Sequence, residues 1–590
     1  MSAAHTLFTL GRRGLLTPGS PRRLALQLRA LRRWGFGVGG SLLSAAARSP
    51  SRVALIDDAG ALTYGSLRDQ VVGVASRLPV SAGDRVGVLC RNHRGFVLSV
   101  AALSLRGADA VLINTGFSAA QIEAVVRDHG LKLVVHDPSF EVSGPALVST
   151  LLSGSVSGSS SAAGPLDASM GAAALPEAGS SSASGPLPDP SSPAVDTAAS
   201  PEAGSSSASG PLPDPSSPAV GTAASPEAGS SSASGPLASL SDRLGTGSLA
   251  PPERPGRTVV LTSGTTGTPK GARRPNPGGL GPLVSILDRI PVRAGARILI
   301  PAPLFHTWGY AALQLALGLR ASVVLMPRFS PESLVDLATR HACSAVFAVP
   351  VMLERLLETK RVLPPCVRVV AVSGSALPGD LATRFMDTNG DVLYNLYGST
   401  EVSWASVATP AELRRTPGTA GRPPRGTRVA ILSAAGTPVA PGTVGRIFVG
   451  NDMLFEGYAG HASVESHDGM LSTGDLGFVD SAGLLTVSGR ADDMVISGGE
   501  NVFPSAVEDL LSTLPGVREA AVVGVPDAEF GQRLAAFVVT HDGVTLTADE
   551  VRDYVRRVGA RFAVPRDVRF VTELPRTTTG KVMKRALLND

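Results

Sequence analysis

A loop rich in glycine and hydroxylated residues is the stretch with the clearest capacity for chemistry. It reads TSGTTGTPKG and follows TVVL, a β-branched run that predicts a strand. Glycines let backbone N–H groups approach an anion, Ser and Thr hydroxyls add donors, and Lys270 adds a positive charge. These residues alone allow two interpretations: a loop that binds phosphate, and a flexible turn. It is not a Walker A loop, because Pro269 precedes the lysine and Gly271 follows it.

Six further motifs follow along the chain and carry acidic, basic and imidazole side chains. They are PLFHTWG (303–309), SGSALP (373–378), NLYGSTE (395–401), STGDLG (472–477), GRADDMVISGGENVFPSAVED (489–509) and PRTTTGKVMKRAL (575–587). With the loop, and in this order, they resemble the adenylate-forming (AMP-binding) superfamily of acyl-CoA synthetases, adenylation domains and luciferases. The overall composition is most similar to that of actinobacterial fatty-acyl-CoA synthetases.

This resemblance implies an ATP-binding site built from several motifs. Tyr397 is expected to stack on adenine, while Asp475 accepts hydrogen bonds from both ribose hydroxyls and Arg490 reaches the same ribose. The full implied set is Thr262, Ser263, Gly264, Thr265, Thr266, Gly267, Thr268, Lys270, Gly374, Ser375, Ala376, Asn395, Tyr397, Gly398, Ser399, Thr400, Asp475 and Arg490. The stretch ARRPNPGG after Gly271 departs from the family pattern, which leaves the contacts beside the loop undetermined.

The resemblance also implies three catalytic residues: Lys581, Glu401 and His306. A lysine between the substrate carboxylate and the α-phosphate would offset the repulsion of two anions. Glu401, with Thr262, would hold Mg²⁺, which prefers few protein oxygens together with phosphate oxygens. His306 would line the acyl site.

A second half-reaction follows from the same resemblance. Asp492 corresponds to a hinge on which the C-terminal domain turns, and Gly498 and Gly499 would leave room for a pantetheine arm. The implied reaction converts a carboxylic acid, expected to be a medium- or long-chain fatty acid, to acyl-AMP and then to acyl-CoA, with ATP, Mg²⁺ and CoA required. Two alternatives remain: transfer to a carrier-protein pantetheine, and a non-catalytic nucleotide-binding protein.

Alternating strand and helix patterns must position these motifs. Runs such as RVGVLC and DAVLIN predict buried strands, and GFVLSVAALSLRGA and SAAQIEAVVRDHG predict helices between them. We expect an α/β fold with a large N-terminal domain (51–489) of parallel-rich sheets with covering helices. Short β-rich runs from Gly421 to Tyr458 predict a small antiparallel subdomain within it. A small mobile α+β C-terminal domain (490–590) follows.

A compositionally biased insertion interrupts the N-terminal domain at residues 140–256. The segment PEAGSSSASGPL begins at Pro176, Pro201 and Pro226, a spacing of 25 residues. Each copy has too few apolar residues to build a stacked core, so the sequence predicts a disordered insertion rather than a solenoid.

The first 50 residues form a separate basic segment. Residues 1–56 contain nine arginines and no Asp or Glu. Within residues 20–35, Leu24, Leu28 and Leu31 share one face of a predicted helix, opposite most of its arginines. Three interpretations remain: packing of the leucines on the main domain, peripheral membrane contact, and a targeting segment.

Composition narrows the class of protein further. The net charge of +4 is small for 590 residues and does not indicate a nucleic-acid partner. Three cysteines without metal-like spacing fit a reducing compartment. We expect a cytoplasmic enzyme, with membrane association at most peripheral; the sequence does not determine its oligomeric state.

Overall fold

A computed structural model describes residues 3–17, 19–142, 146–148, 249–262, 270–458, 464–497, 500–527, 531–577 and 580–588. Most of the predicted 140–256 insertion lies outside these residues. None of the helices in the described ranges is long and apolar enough to cross a membrane.

The helices of the described residues occur in both the N-terminal and the C-terminal parts of the chain. They are α1 Ala3–Arg12, α2 Pro21–Trp34, α3 Val38–Arg48, α4 Tyr64–Arg77, α5 Arg94–Arg106, α6 Ala119–Asp128, α7 Gly281–Arg289, α8 Thr307–Gly318, α9 Pro331–Arg340, α10 Pro350–Glu358, α11 Gly379–Asn389, α12 Pro410–Arg415, α13 Pro504–Ser512 and α14 Ala548–Val558.

The strands alternate with these helices over most of the chain. They are β1 Val53–Asp57, β2 Gly60–Thr63, β3 Arg85–Leu89, β4 Asp109–Leu112, β5 Leu133–His136, β6 Ala146–Val148, β7 Thr258–Thr262, β8 Lys270–Arg274, β9 Arg297–Ile300, β10 Ser322–Leu325, β11 Ala345–Ala348, β12 Val369–Val372, β13 Leu393–Tyr397, β14 Ser406–Ala408, β15 Arg428–Leu432, β16 Gly445–Gly450, β17 Ser466–His467, β18 Met470–Val479, β19 Leu485–Arg490, β20 Val495–Ser497, β21 Glu500–Val502, β22 Val517–Asp527, β23 Gly531–Thr540 and β24 Asp567–Phe570.

Two mainly parallel sheets form the body of the N-terminal part. The first has the strand order β14-β13-β12-β11-β9-β10-β1-β2, with parallel pairing from β13 to β1. The second has the order β6-β5-β3-β4-β7-β8, parallel except for the β7–β8 pair. Strands such as β9 and β11 are short, apolar and buried, as expected when helices cover both faces.

Helices join these two sheets into one hydrophobic core. Helix α5 packs on β3 and β4 of the second sheet, α8 packs on β9 to β11 of the first, and α3 contacts both helices. The sequence places the start of the N-terminal domain at residue 51, whereas Leu42 and Leu43 of α3 are already fully buried in this core. The sequence did not predict that α3 belongs to the core, because its many Ala, Gly and Ser residues give only a weak amphipathic pattern.

Two smaller antiparallel-rich sheets complete the fold. One has the order β15-β16-β18-β17 with β19 beside β18, and therefore extends to Arg490, well beyond the predicted subdomain of 421–458. The other has the order β21-β20-β23-β22 with β24 parallel to β23. Helices α13 and α14 cover it, and α14 begins at a capping box formed by Thr547 and Glu550. The predicted α/β class, with a small C-terminal α+β region, is confirmed.

Candidate active site

The carboxyl ends of the parallel strands bring several motifs to one edge of the first sheet. His306 follows β9, Gly374 follows β12, and Tyr397 is the last residue of β13. In a parallel sheet these ends lie on the same side, and they are the usual place for ligands. The first sheet therefore brings together three motifs that are up to about 90 residues apart in sequence.

Tyr397 and Asp475 link the first sheet to the small antiparallel sheet. The Tyr397 hydroxyl donates a hydrogen bond of 2.5 Å to Oδ2 of Asp475. Burial raises the pKa of the Tyr397 hydroxyl well above its usual value, and the neighbouring Asp475 carboxylate raises it further. The tyrosine therefore stays protonated and remains a donor.

Arg490 lies on the other side of the same carboxylate. It is the cross-strand partner of Asp475 in the β18–β19 pair, and its Nη1 lies 3.5 Å from Oδ1. Nη1 also donates to the Thr473 carbonyl at 3.1 Å, and Nη2 lies 3.4 Å from the exposed Asp492. The structure thus brings the two residues expected at the ribose, and the residue expected at the hinge, into one cluster.

Glu401 is held beside this cluster by two contacts. The Tyr458 hydroxyl donates to its Oε1, and the Phe455 amide donates to its backbone carbonyl at 2.8 Å. The described residues contain no group of three or more His, Cys, Asp or Glu side chains able to hold a metal alone. One carboxylate nevertheless fits Mg²⁺, because this ion takes most of its remaining oxygens from phosphate and water. When bound, Mg²⁺ would neutralise phosphate charge.

Arg274 is a positioning residue that the sequence analysis did not identify. It is buried, and it donates to the Thr400 carbonyl at 2.8 Å and to the Ser403 hydroxyl at 2.7 Å. Burial lowers its pKa to about 10, and the nearby Glu401 acts in the opposite direction. Arg274 therefore ties the strand after the glycine-rich loop to the segment that carries Glu401. The departure ARRPNPGG contained this signal, since it places an arginine in a buried strand.

His306 lies immediately before α8, between Phe305 and Thr307. Its ring centroid lies 4.6 Å from that of Phe305, and its buried Nε2 has no hydrogen-bond partner among the described residues. Burial lowers its pKa to about 4, so the imidazole is neutral at physiological pH. The adjacent Trp308 donates to the Ala348 carbonyl at 2.9 Å and packs on Phe347, which fixes its ring in the core.

Lys581, in the C-terminal part of the chain, lies within electrostatic range of this site. Burial raises the pKa of the Asp475 carboxyl, and Tyr397, Arg490 and Lys581 act against that rise. The preceding Gly580 lies directly on α10: a Cβ at this position would stand 2.2 Å from Cγ1 of Val351. Lys584, by contrast, pairs with Glu508 at 2.7 Å within the C-terminal part.

Some of the remaining predicted residues lie at this site, and the others lie outside the described residues. Lys270 pairs with Thr262 across β7 and β8, Asn395 is buried in β13, and Gly398 packs too closely on the Ser403 carbonyl to accept a side chain. Ser375, Ser399 and Thr400 are partly exposed at this edge of the sheet, whereas Gly374 and Ala376 are exposed. Ser263, Gly264, Thr265, Thr266, Gly267, Thr268, Gly498 and Gly499 lie outside the described residues, as does the side chain of Thr262.

The arrangement can bind a nucleotide and bring a cation to it. A hydroxyl, a carboxylate and a guanidinium form one polar cluster, a second carboxylate stands nearby, and an ammonium group enters from another part of the chain. Such a site can orient a phosphate ester and stabilise the negative charge that develops when a carboxylate attacks phosphorus.

Comparison with known proteins yields two family matches that cover most of the chain. The model of the AMP-binding enzyme family matches residues 42–459, and that of the AMP-binding enzyme C-terminal domain matches residues 506–581.

Individual relatives share the same match. The chain is 34% identical over 348 residues to sulfoacetate–CoA ligase of Cupriavidus necator, covering 58% of this chain and 68% of that protein. It is 34% identical over 334 residues to feruloyl-CoA synthase of Amycolatopsis, covering 55% and 68%. Among solved structures, o-succinylbenzoate CoA synthetase from Bacillus subtilis in complex with the acyl-adenylate OSB-AMP superimposes with a TM-score of 0.69 at 25% identity. That match covers 93% of this chain and 97% of the other.

Proposed function

The chain belongs to the AMP-binding enzymes as an adenylate-forming acid–CoA ligase, and we propose that its acid is a medium- or long-chain fatty acid. In the first step the acid's carboxylate attacks the α-phosphorus of ATP, which gives acyl-AMP and expels pyrophosphate. In the second step the CoA thiol attacks the acyl carbon, which gives acyl-CoA and AMP.

The observation that carries this proposal is that the turn bearing Lys581 packs against α10, within electrostatic range of Asp475. The ammonium charge of Lys581 acts on the Asp475 carboxyl, and Gly580 seats the lysine-bearing turn on Val351. In this position Lys581 would stand between the two anions of the first step. We assign Tyr397 to adenine, Asp475 and Arg490 to the ribose, and Glu401 with Thr262 to Mg²⁺.

The choice of a fatty acid rests on the environment of His306. The imidazole is neutral, its Nε2 is buried, and the ring lies against Phe305. Such surroundings favour an acid with an apolar acyl group over an acid that carries a charged group in addition to its reacting carboxylate. The stretch GYAALQLALGLRASVVL, which could also have formed an alkyl pocket, instead forms the largely buried helix α8 and strand β10. It therefore gives no independent support for chain length.

The second step assigns roles to residues of the C-terminal part. Gly498 and Gly499 would admit the pantetheine arm, with Asp492 as the hinge that exchanges this loop for Lys581. The 3.4 Å approach of Arg490 to Asp492 supports the hinge assignment, because turning at Asp492 would release this pair while Arg490 could still contact the ribose.

AMP release from ATP·Mg²⁺ tests the proposal with a panel of acids: acetate, hexanoate, laurate, oleate, ferulate, indoleacetate and sulfoacetate, each with and without CoA. We expect CoA-dependent turnover with laurate or oleate. It should be lost in Lys581→Ala and retained in Lys584→Ala, because Lys584 is engaged with Glu508.

Turnover only with ferulate, indoleacetate or sulfoacetate would reject the fatty acid while keeping the ligase. Acyl-AMP that CoA cannot discharge would instead indicate transfer to a carrier-protein pantetheine.

A further inference from the structure

A basic cleft of about 790 Å³ lies between the N-terminal helices and the first sheet. We call it the arginine cleft. Its lining contains no acidic residue and has seven arginines: Arg12, Arg13, Arg23, Arg48, Arg52, Arg293 and Arg320.

The cleft is at the opposite end of the first sheet from the candidate active site. Arg52 immediately precedes β1, Arg293 lies shortly before β9, and Arg320 lies shortly before β10. These three strands are parallel, so their amino ends meet at one edge. The other wall comes from α1, the connection to α2, and the start of α2. The candidate active site and the arginine cleft are therefore separate sites.

Little anionic charge acts on the cleft arginines within the described residues, apart from the Asp288 carboxylate, which acts on Arg13. None of the seven forms an ion pair there. Arg320 is only 6% exposed, and Nη1 of Arg48 is buried without a hydrogen-bond partner. Two buried or partly buried cations without a counterion are costly, because buried charges are normally paired. An anion bound in the cleft would supply the missing partner.

Two glycines leave room for two of the cleft arginines. A Cβ at Gly19 would stand 2.6 Å from the Arg48 guanidinium, and one at Gly295 would stand 1.8 Å from that of Arg52. Burial lowers the pKa of Arg320, and the charges of Arg48 and Arg52 lower it further. The three like charges are thus close enough to repel one another, and a phosphate group accepts well from such a cluster.

Exposed apolar side chains accompany the cleft on the same N-terminal segment. Leu7 and Phe8 of α1 are 57% and 59% exposed, Leu16 is 51% exposed, and Leu24 and Leu28 of α2 are 45% and 58% exposed. The helix α2 packs inward through Leu26 and Ala30 instead. Of the three leucines on the predicted face, Leu24 and Leu28 are therefore exposed and do not pack on the main domain, whereas Leu31 is partly buried.

We propose that the arginine cleft and these apolar side chains form a docking surface for an anionic phospholipid bilayer. The arginines would bind lipid phosphates, while Leu7, Phe8, Leu16, Leu24 and Leu28 enter the boundary between headgroups and acyl chains. A basic surface with outward apolar residues and no cleft carboxylate complements this partner in both charge and polarity. α1 is fixed to the body of the protein, since Arg13 donates to the Leu287 carbonyl at 2.7 Å and 3.0 Å.

Vesicle co-sedimentation of the full chain, without ATP or acid, tests the surface. We expect binding to vesicles of 70% phosphatidylcholine and 30% phosphatidylglycerol, with binding to pure phosphatidylcholine at least about tenfold weaker. The variant Arg12→Gln/Arg23→Gln/Arg52→Gln/Arg293→Gln should lose at least about tenfold in affinity. Leu7→Ser/Phe8→Ser/Leu24→Ser/Leu28→Ser should lose binding as well, since both components contribute.

A matched control is Arg127→Gln/Arg340→Gln/Arg355→Gln/Arg368→Gln, which removes the same charge from exposed positions outside the cleft. It should bind within about twofold of the parent if the cleft itself is responsible. If both arginine variants lost the same vesicle affinity, the net charge of the protein and not the cleft would account for binding, and the proposal would be overturned. Binding of free inorganic phosphate or CoA that depends on the cleft, without vesicle binding, would overturn it in favour of a soluble anion. Circular dichroism and AMP release should remain unchanged in the cleft variant.

Discussion

The hydroxyl of Tyr397 donates to the carboxylate of Asp475 across 2.5 Å, which joins the end of β13 in the large sheet to β18 in the small one. Both residues belong to separate motifs, 78 positions apart. The hydrogen bond fixes the aromatic ring and the carboxylate relative to each other before any ligand arrives. In the proposed enzyme it therefore sets the spacing between the adenine and ribose contacts.

Removing this hydrogen bond should weaken ATP binding. In Tyr397→Phe the ring remains, but Asp475 loses its donor, and a hydrogen bond to a charged group contributes about 1.5–3 kcal/mol. We expect the KM for ATP to rise about tenfold or more, with a smaller change in kcat. Tyr554→Phe is the control, because the hydroxyl of Tyr554 on α14 forms an exposed hydrogen bond with Thr513, which follows α13. An unchanged KM in Tyr397→Phe would show that the pair does not organise the nucleotide site.

A side chain at Gly580 should separate Lys581 from the site. Gly580 has φ +80 and lies against Val351, so Gly580→Ala introduces both strain and a collision with α10. Gly543→Ala is a matched control: Gly543 has φ +77 in the C-terminal part, but its Cβ would meet nothing within 4 Å.

We expect Gly580→Ala to lower acyl-AMP formation at least about tenfold, measured by pyrophosphate exchange, while thioester formation from supplied acyl-AMP is retained. Gly543→Ala should keep both half-reactions close to normal. Equal losses in the two variants would attribute the effect to backbone strain alone.

Arg274→Met should destabilise the protein and disturb the Glu401 segment. The substitution leaves the Thr400 carbonyl without its donor, and an unsatisfied buried acceptor costs about 1–3 kcal/mol. We expect a lower denaturation midpoint and reduced activity at limiting Mg²⁺. The neighbouring Arg273 has a buried Nε without a partner, so Arg273→Met removes no such contact and should cost less.

His306 should make stability depend on pH below neutrality. Its pKa is about 4 in the folded protein, against 6.5 as the ordinary value. Between these values the unfolded chain binds the proton and the folded chain does not, so stability falls as pH decreases from about 6.5 to 4. The maximum loss is about 3 kcal/mol.

Denaturant unfolding at a series of pH values measures this effect. His306→Asn should flatten the curve between pH 4 and 6.5, whereas the same change at the exposed His541 should leave the slope as it is. A parent-like slope in His306→Asn would assign the dependence to other groups.

The sequence predicted the elements better than the contacts. The helix predicted within residues 20–35 agrees with α2, Pro21–Trp34. The runs RVGVLC and DAVLIN form β3 and β4, because the apolar pattern of a strand reflects its burial directly. The orientation of α2 was not predictable. The sequence pattern suggests that the face with Leu24 is buried, but α2 packs on the rest of the protein through Leu26 and Ala30.

The site divides in the same way. Motif order predicted Tyr397, Asp475, Glu401 and Lys581 as site residues, and these remain predictions. The departure ARRPNPGG contains Arg274, but its contact with the Glu401 segment became visible only once β8 was placed beside that segment. A long-range hydrogen bond to the Thr400 carbonyl has no periodic signal, because a backbone acceptor can belong to any residue type.

Because β1, β9 and β10 run in the same direction, the arginine cleft and the candidate active site lie at opposite ends of these strands. With the arginines at the amino ends and His306 beyond the carboxyl end of β9, a four-residue strand of about 13 Å lies between the two sites. A ligand in the arginine cleft approaches the amino ends of the strands. The carboxyl ends, where the candidate active site lies, remain open to nucleotide. A protein held by this surface could therefore exchange ATP and AMP with the surrounding solution without first letting go.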